Sequence, residues 1–409
     1  MDSETEDKLS QNLPRLMYIG DVPVESTVAG SALIYRLLQD YPVDRLCIVE
    51  GNIATSQAQK RLPNVAYETT YVGNNRLLNS RFVFLYTSYL FLTAKWRSRQ
   101  LTNLIKTFKP EAILTVAHGL SWIGAAELAR KHDLPLHLIV HDEWTSYTAV
   151  ISPLKDKIKK VFGGIYRQAD SQLCVSPYMR EYYEKQYGVK GIVLYPSRAK
   201  DIPVFKIPSE SLNKSSNSLV FAYAGSINSK SYANSIVDLA KVLEDFDHKL
   251  IIYSPLSQES IQQLGLNRSN ITTRSLIPSQ KLIYTLRQEA DVLFVPMSFD
   301  EDERPNMEMS FPSKLTDYTA IGLPLLIWGP SYCSAVRWAR DNLEVAEVVE
   351  TKESTNLLYS IKKLTGNLEY RRKLANNALI MGFNYFSHSN IIRQFYQSLV
   401  QTNGNFKDK

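Results

Sequence analysis

Short apolar, β-branched runs bounded by turns alternate with stretches of helical periodicity along this chain, and the series occurs twice. A strand that reads as continuously apolar is covered on both faces, and a helix between successive strands supplies the crossover that parallel pairing needs. The pattern demands an α/β fold with parallel sheets, one for each series. In the first series the expected strands are 16–19, 46–49, 112–117, 136–140, 172–175 and 192–194, with helices over 29–39 and 123–131. The second series runs through 219–224, 250–253, 292–295 and 325–328, with a helix over 233–243. At 409 residues, two domains of ordinary size are expected.

The rhythm breaks between Tyr195 and Ser218, where Pro196, Pro203, Pro208 and a Ser/Asn/Lys stretch replace periodic apolar residues. That composition marks a linker. The expected division is a first Rossmann-like domain over 1–205, a second over 206–385, and a final helix and tail over 386–409. In that helix Ile391, Ile392, Phe395, Tyr396 and Leu399 recur at spacings of three and four, so an apolar face must dock, and the first domain is the expected partner.

Charge and cysteine usage exclude several classes. Lys plus Arg exceed Asp plus Glu by 47 − 41 = 6, too few for an obligate nucleic-acid binder but compatible with anionic ligands. Cys47, Cys174 and Cys333 lie far apart without Cys-x-x-Cys spacing, which predicts reduced core thiols rather than a disulfide framework or zinc ribbon. The polar, acid-rich stretch Met1 to Asn12 lacks the basic start and apolar run of a signal peptide. The most apolar stretch, Phe82 to Ala94, would span roughly 20 Å as a helix, short of the ~30 Å of a bilayer core. A cytoplasmic protein is expected, with peripheral contact at the inner face of the plasma membrane as its one membrane relation.

Open parallel sheets bind ligands beyond the carboxyl ends of their strands, which singles out a few places. Gly30, in Val28-Ala29-Gly30-Ser31 at a helix start, permits close approach of an anionic ligand or merely serves the turn. His118 follows the strand 112–117 and can reach a ligand there. His141-Asp142-Glu143 repeats that position one strand later, where a solvated turn capped by Asp142 is an equal reading. The loop Gly225-Ser226-Ile227-Asn228-Ser229-Lys230 can hold a diphosphate through backbone N–H groups and one ammonium, although P-loop spacing is absent and a solvated lysine is the plainer alternative. In Ser310 to Pro324, a helix starting at Pro312 or Ser313 offers N–H groups to phosphate, and Gly322 and Pro324 stop it. Asp317, about one turn in, is placed to accept hydroxyl hydrogen bonds from a ribose. No His/Asp/Glu cluster with metal-ligand spacing is visible in the sequence. From Thr69 to Pro110 there are seven basic residues and no Asp or Glu, interleaved with aromatic residues; this suits an anionic membrane surface, or else a core helix with a solvated basic rim.

The Ser310 to Pro324 pattern resembles the donor-binding helix of family 4 retaining glycosyltransferases of the GT-B fold. The likeness extends over most of the chain. Ala29-Gly30 stands where that family has its glycine pair, and His118 where it has a histidine near the donor sugar. Ala169 to Tyr182 resembles the segment closing the first domain, Tyr195-Pro196-Ser197 the start of the linker, and Gly225 to Lys230 the diphosphate loop. Ser226 replaces an arginine common in the family. Of the positions of its paired glutamates, Met309 and Asp317, only the second keeps a carboxylate, and Glu308 or the acidic loop Asp300 to Glu303 is the candidate substitute.

The resemblance implies a GT-B fold, two Rossmann-like domains facing each other across a cleft with the C-terminal helix returning to the first. It implies an acceptor-binding N-terminal domain and a nucleotide-sugar-binding C-terminal one. His118 and Glu308 are then the expected catalytic residues, and Gly30, Gly225, Ser226, Lys230, Pro312, Ser313, Lys314 and Asp317 the expected donor contacts, with no metal or other cofactor. The implied reaction is retaining transfer of a hexosyl group from a UDP- or GDP-sugar to a saccharide or lipid-linked acceptor, in cell-surface polysaccharide or glycolipid synthesis. A nucleotide-sugar epimerase on the same fold and a non-catalytic nucleotide-sugar-binding subunit are the alternatives.

Overall fold

A computed structural model describes residues 12–27, 29–144, 148–213, 218–227 and 229–404. Val28, two residues before Gly30, Asn228 of the expected diphosphate loop, the N-terminal stretch up to residue 11 and the tail from 405 lie outside the described residues. The chain divides into two compact units, one of residues 1–197 with 389–409 and one of 198–388.

The first unit is built on seven strands: β1 (Leu16–Gly20), β2 (Leu46–Gly51), β3 (Ala66–Thr70), β4 (Ala112–Val116), β5 (Leu136–Val140), β6 (Ser171–Cys174) and β7 (Ile192–Val193). Their order is β3-β2-β1-β4-β5-β6-β7, with every pairing parallel. The second unit repeats the plan with β8 (Val220–Ala224), β9 (Lys249–Tyr253), β10 (Ile271–Arg274), β11 (Val292–Pro296), β12 (Leu325–Trp328) and β13 (Glu347–Val349), ordered β10-β9-β8-β11-β12-β13 and again parallel. In each sheet the winding reverses beside the first strand, between β1 and β4 and between β8 and β11. Such switch points open a crevice at the strand ends where ligands bind.

Three strands escape the sequence reading: β3, β10 and β13. Each lies at a sheet edge. A strand there is half-solvated and need not be continuously apolar, and Glu68, Thr69, Thr272 and Arg274 are exposed while Glu347–Val349 is only three residues long. The central strands β1, β2, β4, β5 and β6 are buried at every position, as their apolar runs require.

The last helix, His388–Gly404, buries Ile391, Ile392, Phe395, Tyr396 and Leu399 in the core of the first unit beside Leu13, Leu16 and Tyr41. Tyr41 and Tyr396 meet edge to face at 5.8 Å. Burying such side chains contributes about 1.5–3 kcal/mol each, which is what holds this returning segment.

The unit boundaries fall at Ser197/Arg198 and His388/Ser389, not at 205/206 and 385/386. The proline-rich stretch is not a free tether. Arg198, Ile202, Ser209, Ser211 and Leu212 are buried, Ser209 N–H donates to the Gly322 carbonyl at 2.8 Å, and Ser209 Oγ donates to that of Arg287 at 2.7 Å. Low apolar content hid a segment that packs mainly through hydrogen bonds. The three cysteines are free and buried. No helix among the described residues is long and apolar enough to cross a membrane.

Candidate functional site

In the second unit, the end of β8 and the short helix Ser313–Tyr318 are tied together. Tyr318 Oη accepts from the Ala224 amide at 2.6 Å and lies 3.3 Å from the Ala224 carbonyl, fixing the helix against the last residue of the strand. The next residue, Gly225, has φ +142°, which disfavours any side chain. A Cβ there would sit 3.6 Å from Lys314 Nζ, so the loop backbone and this ammonium are neighbours. Lys314 Nζ donates to Tyr223 Oη at 2.8 Å and lies 4.1 Å from the centre of the same ring. Tyr223 Oη in turn donates to the Ser226 carbonyl at 2.7 Å.

No carboxylate among the described residues pairs with Lys314. Burial alone pulls its pKa from 10.5 down to about 7. A desolvated ammonium beside a glycine loop at a sheet switch point is equipped to take an anion. Gly225, Ser226 and Lys314 are thus brought together, with Tyr223 and Tyr318 as partners that the sequence reading missed. Their signal was available: Tyr223 precedes the strand's last residue, and Tyr318 lies four residues after Lys314.

The remaining donor candidates are placed differently. Lys230 opens the helix Lys230–Glu244 and is exposed; Ser229 caps that helix through its hydroxyl. Pro312 is the N-cap of Ser313–Tyr318 and makes no side-chain cap, and the Ser313 carbonyl accepts from Thr316 Oγ1 at 2.7 Å. The regular helix is only six residues, shorter than the expected run to Gly322, though turns continue to Ile321 and Gly322 at φ +76° stops them.

Asp317 has a charged neighbour that the sequence did not reveal. Arg198 is buried, donates through Nε to the Thr316 carbonyl and through Nη2 to Thr319 Oγ1, both at 2.9 Å, and is pulled to about pH 10 by burial with Asp317 opposing. The Asp317 charge thus lies near the buried Arg198 guanidinium and favours its charged form. Glu308 is half-buried and lies 3.9 Å from Arg304 Nε within its own helix, Arg304–Met309. Met309, at the position where the resemblance places a carboxylate, is 3% exposed and packs in the core.

In the first unit the crevice between β1 and β4 is organised by Asp21, another residue missed in the sequence although it directly follows β1. Its carboxylate accepts from the Leu120 and Ser121 amides at 2.7 and 2.8 Å and from Ser121 Oγ at 2.6 Å, capping the helix Ser121–His132 from a different strand. Gly119, at φ +62°, lies so close that a Cβ would run into this carboxylate. His118 is exposed at the end of β4, its ring centre 6.0 Å from that of buried His141 at the end of β5. His141 Nε2 is 3.5 Å from Asp142 Oδ2, and burial lowers the His141 pKa against the opposing charge of Asp142.

The fold thereby assembles what linear spacing did not show. One ligand atom each from His118, His141 and Asp142 lie within 4.8 Å of one another, a set able to hold a divalent cation. The expectation of no such cluster is corrected, because the three residues come from two neighbouring strands. Gly30, at the start of the helix Ala29–Leu38, has a Cβ position with nothing within 4 Å and no positive φ, so neither crowding nor a turn demands glycine there.

The acid-free stretch folds mainly into the helices Val83–Arg97 and Thr102–Phe108. Of its seven cations, Arg97 is not on a basic rim: its guanidinium donates to the Val72 carbonyl and, at 2.7 Å, to that of Leu90. Lys95 lies 3.8 Å from Glu127, whereas Arg76, Arg81, Arg99, Lys106 and Lys109 are exposed.

Residues 53–196 match the model of the family described as Glycosyltransferase Family 4, so the family 4 resemblance holds over that stretch. No curated protein sequence matches the chain. Among solved structures, the chain is similar to Anabaena HepE in complex with UDP and glucose, at 14% identity and a TM-score of 0.64, covering 94% of this chain and 99% of that one. Sucrose-phosphate synthase from Thermosynechococcus elongatus shows 14% identity and a TM-score of 0.65 over 95% and 99% of the two chains. A glycosyltransferase from Rickettsia africae shows 14% identity and a TM-score of 0.63 over 94% and 98%. These likenesses establish the GT-B fold, two Rossmann-like units with a C-terminal helix.

Proposed function

We propose that the protein is a retaining glycosyltransferase that moves a hexosyl group from a UDP- or GDP-sugar to a saccharide or lipid-linked acceptor, in cell-surface polysaccharide or glycolipid synthesis. The observation that carries this reading is the carboxylate-free Lys314 ammonium beside Gly225 at the end of β8. The family 4 match over residues 53–196 and the UDP-glucose bound by HepE support it. The second unit holds the nucleotide. Lys314, the backbone at Gly225 and Ser226, and Lys230 meet the diphosphate, and Asp317 meets the ribose. In the transfer, the bond from the anomeric carbon to the diphosphate breaks with its electron pair going to the diphosphate, an acceptor hydroxyl oxygen bonds the anomeric carbon in its place, and the hydroxyl proton leaves with the diphosphate. The departing diphosphate gains negative charge, and a fixed, desolvated cation stabilises that charge without a metal. His118, in the first unit, meets the sugar or the acceptor, and Glu308 stands in for the missing carboxylate at Met309.

The reading is tested by thermal-shift titration with UDP, GDP, ADP and TDP, followed by transfer assays with the matching nucleotide sugar and a lipid extract, with and without chelator. A nucleotide at a hundred times its Kd stabilises by about 2.7 kcal/mol. Stabilisation by UDP or GDP together with chelator-resistant transfer is the expected result. No shift with any nucleotide refutes the reading. Chelator-sensitive transfer restored by a divalent ion overturns the metal-free mechanism. A second reading, nucleotide-sugar binding without turnover, is favoured by the burial of Met309, and binding without transfer identifies it. An epimerised free sugar identifies the epimerase.

A further inference from the structure

The helix Val83–Arg97 is inverted with respect to water. Thr87 and Ser88 are buried, while Phe84, Leu85, Tyr89, Leu92 and Trp96 are exposed, Leu85, Leu92 and Trp96 by 61%, 57% and 64%. Leu85, Tyr89, Leu92 and Trp96 follow spacings of four, three and four, which is one face of a helix. The inner face is satisfied: Leu90, Phe91 and Ala94 are buried, and Ser88 Oγ donates to the Phe84 carbonyl at 2.6 Å while accepting from the Ile151 amide at 3.1 Å. A continuous apolar stripe of this size on the outside is not what water selects.

Its surroundings are cationic. Arg76 and Arg81 precede the stripe and Arg99 follows it, all exposed, and no acidic residue occurs between Thr69 and Pro110. Residue 151, bonded to Ser88, is the N-cap of the helix Ser152–Gln168, which exposes Lys155, Lys157, Lys159 and Lys160 against one exposed acid, Asp156. Apolar side chains between exposed cations match the boundary between acyl chains and anionic headgroups, whereas a second copy of this face would set like charges against each other.

The same helix also reaches the ligand-binding end of the sheet. Ala94 and Arg97 line a small hollow with Thr70 at the end of β3 and with Leu120 and Ser121 beside β4. Burial lowers the Arg97 pKa, opposed by the charge of Asp21.

We propose that Val83–Arg97 rests its outer stripe on an anionic bilayer and brings the carboxyl end of the first sheet to a lipid-linked acceptor. The acceptor class rests on the glycosyltransferase reading, while the docking does not require it. The test is co-sedimentation of the full chain, without nucleotide, with phosphatidylcholine vesicles with or without phosphatidylglycerol. The wild type binds the anionic vesicles at low salt, is released by high salt and leaves the neutral ones unbound. At roughly fivefold per surface cation, Arg76→Ser, Arg81→Ser and Arg99→Ser together weaken binding about a hundredfold. Leu85→Ser, Leu92→Ser and Trp96→Ser together abolish it, and both variants keep the wild-type thermal shift with UDP or GDP. Wild type remaining in the supernatant at low salt overturns the docking. Self-association that the apolar variant abolishes, without vesicle binding, assigns the stripe to a second copy and overturns it too. Vesicle binding in a protein that no nucleotide stabilises leaves the docking intact and refutes only the acceptor assignment.

Discussion

Replacing Lys314 by Met removes one ammonium while keeping most of the side-chain length, and the structure sets what should follow. The wild-type Nζ has Tyr223 Oη at 2.8 Å as its partner and a pKa of about 7, so near neutral pH about half the molecules carry the charge. A diphosphate docked beside Gly225 favours the charged form and draws in a proton. Losing a charge-assisted hydrogen bond costs about 1.5–3 kcal/mol, or roughly 10- to 150-fold in nucleotide Kd at pH 7. Above pH 7 the wild type must take up that proton to bind, so its affinity falls about tenfold per unit until the pKa of the complex is reached. The Lys314→Met affinity stays flat over the same range, and titrations above pH 7 avoid the terminal phosphate, which ionises near pH ~6. Folding is linked with a definite sign. Because the folded pKa lies below the ordinary 10.5, the unfolded chain binds the extra proton between about 7 and 10.5. The penalty on folding is therefore full below pH 7 and fades as pH rises through that window, and Lys314→Met melts higher than the wild type at pH 7. Isothermal calorimetry from pH 7 to 9 measures the binding arm. An unchanged Kd and an equal pH slope in both proteins would refute the assignment of Lys314 to the diphosphate.

The other residues make separate predictions. Asp317→Ala weakens nucleotide binding by about 1.5–3 kcal/mol in calorimetry; it also strips buried Arg198 of a nearby countercharge and lowers the melting temperature, so an affinity equal to wild type removes Asp317 from the ribose. His118→Ala, in the first unit, lowers transfer turnover at least tenfold while nucleotide Kd stays within twofold, as a residue contributing mainly to the transition state does. Full transfer activity in that variant would end its catalytic assignment. Gly119→Ala forces a Cβ toward the Asp21 carboxylate at φ +62° and should destabilise the first unit by about 1–3 kcal/mol, read in chemical denaturation; a neutral substitution would show that the Asp21 cap is pliable.

Much of this protein was legible in its sequence because the requirements are local. Strands covered on both faces must be apolar throughout, so β1, β4, β5, β8, β11 and β12 announced themselves, and with them the positions just beyond their ends where His118, Gly225 and Ser226 lie. The apolar stripe from Ile391 to Leu399 required a partner in the same way. Tertiary structure alone decided what depends on pairs distant in the chain. The edge strands β3, β10 and β13 owe their conformation to a neighbour's hydrogen bonds rather than to their own side chains. Lys314 acquires its low pKa from burial, in a place where its hydrogen-bond partner Tyr223 lies 91 residues away in the chain; His118 meets His141 only across adjacent strands; and Arg97, one cation among seven in the sequence, is turned inward by the Val72 and Leu90 carbonyls. A side chain's identity is written in the sequence, but its solvation and its charged neighbours are properties of the space the fold puts around it.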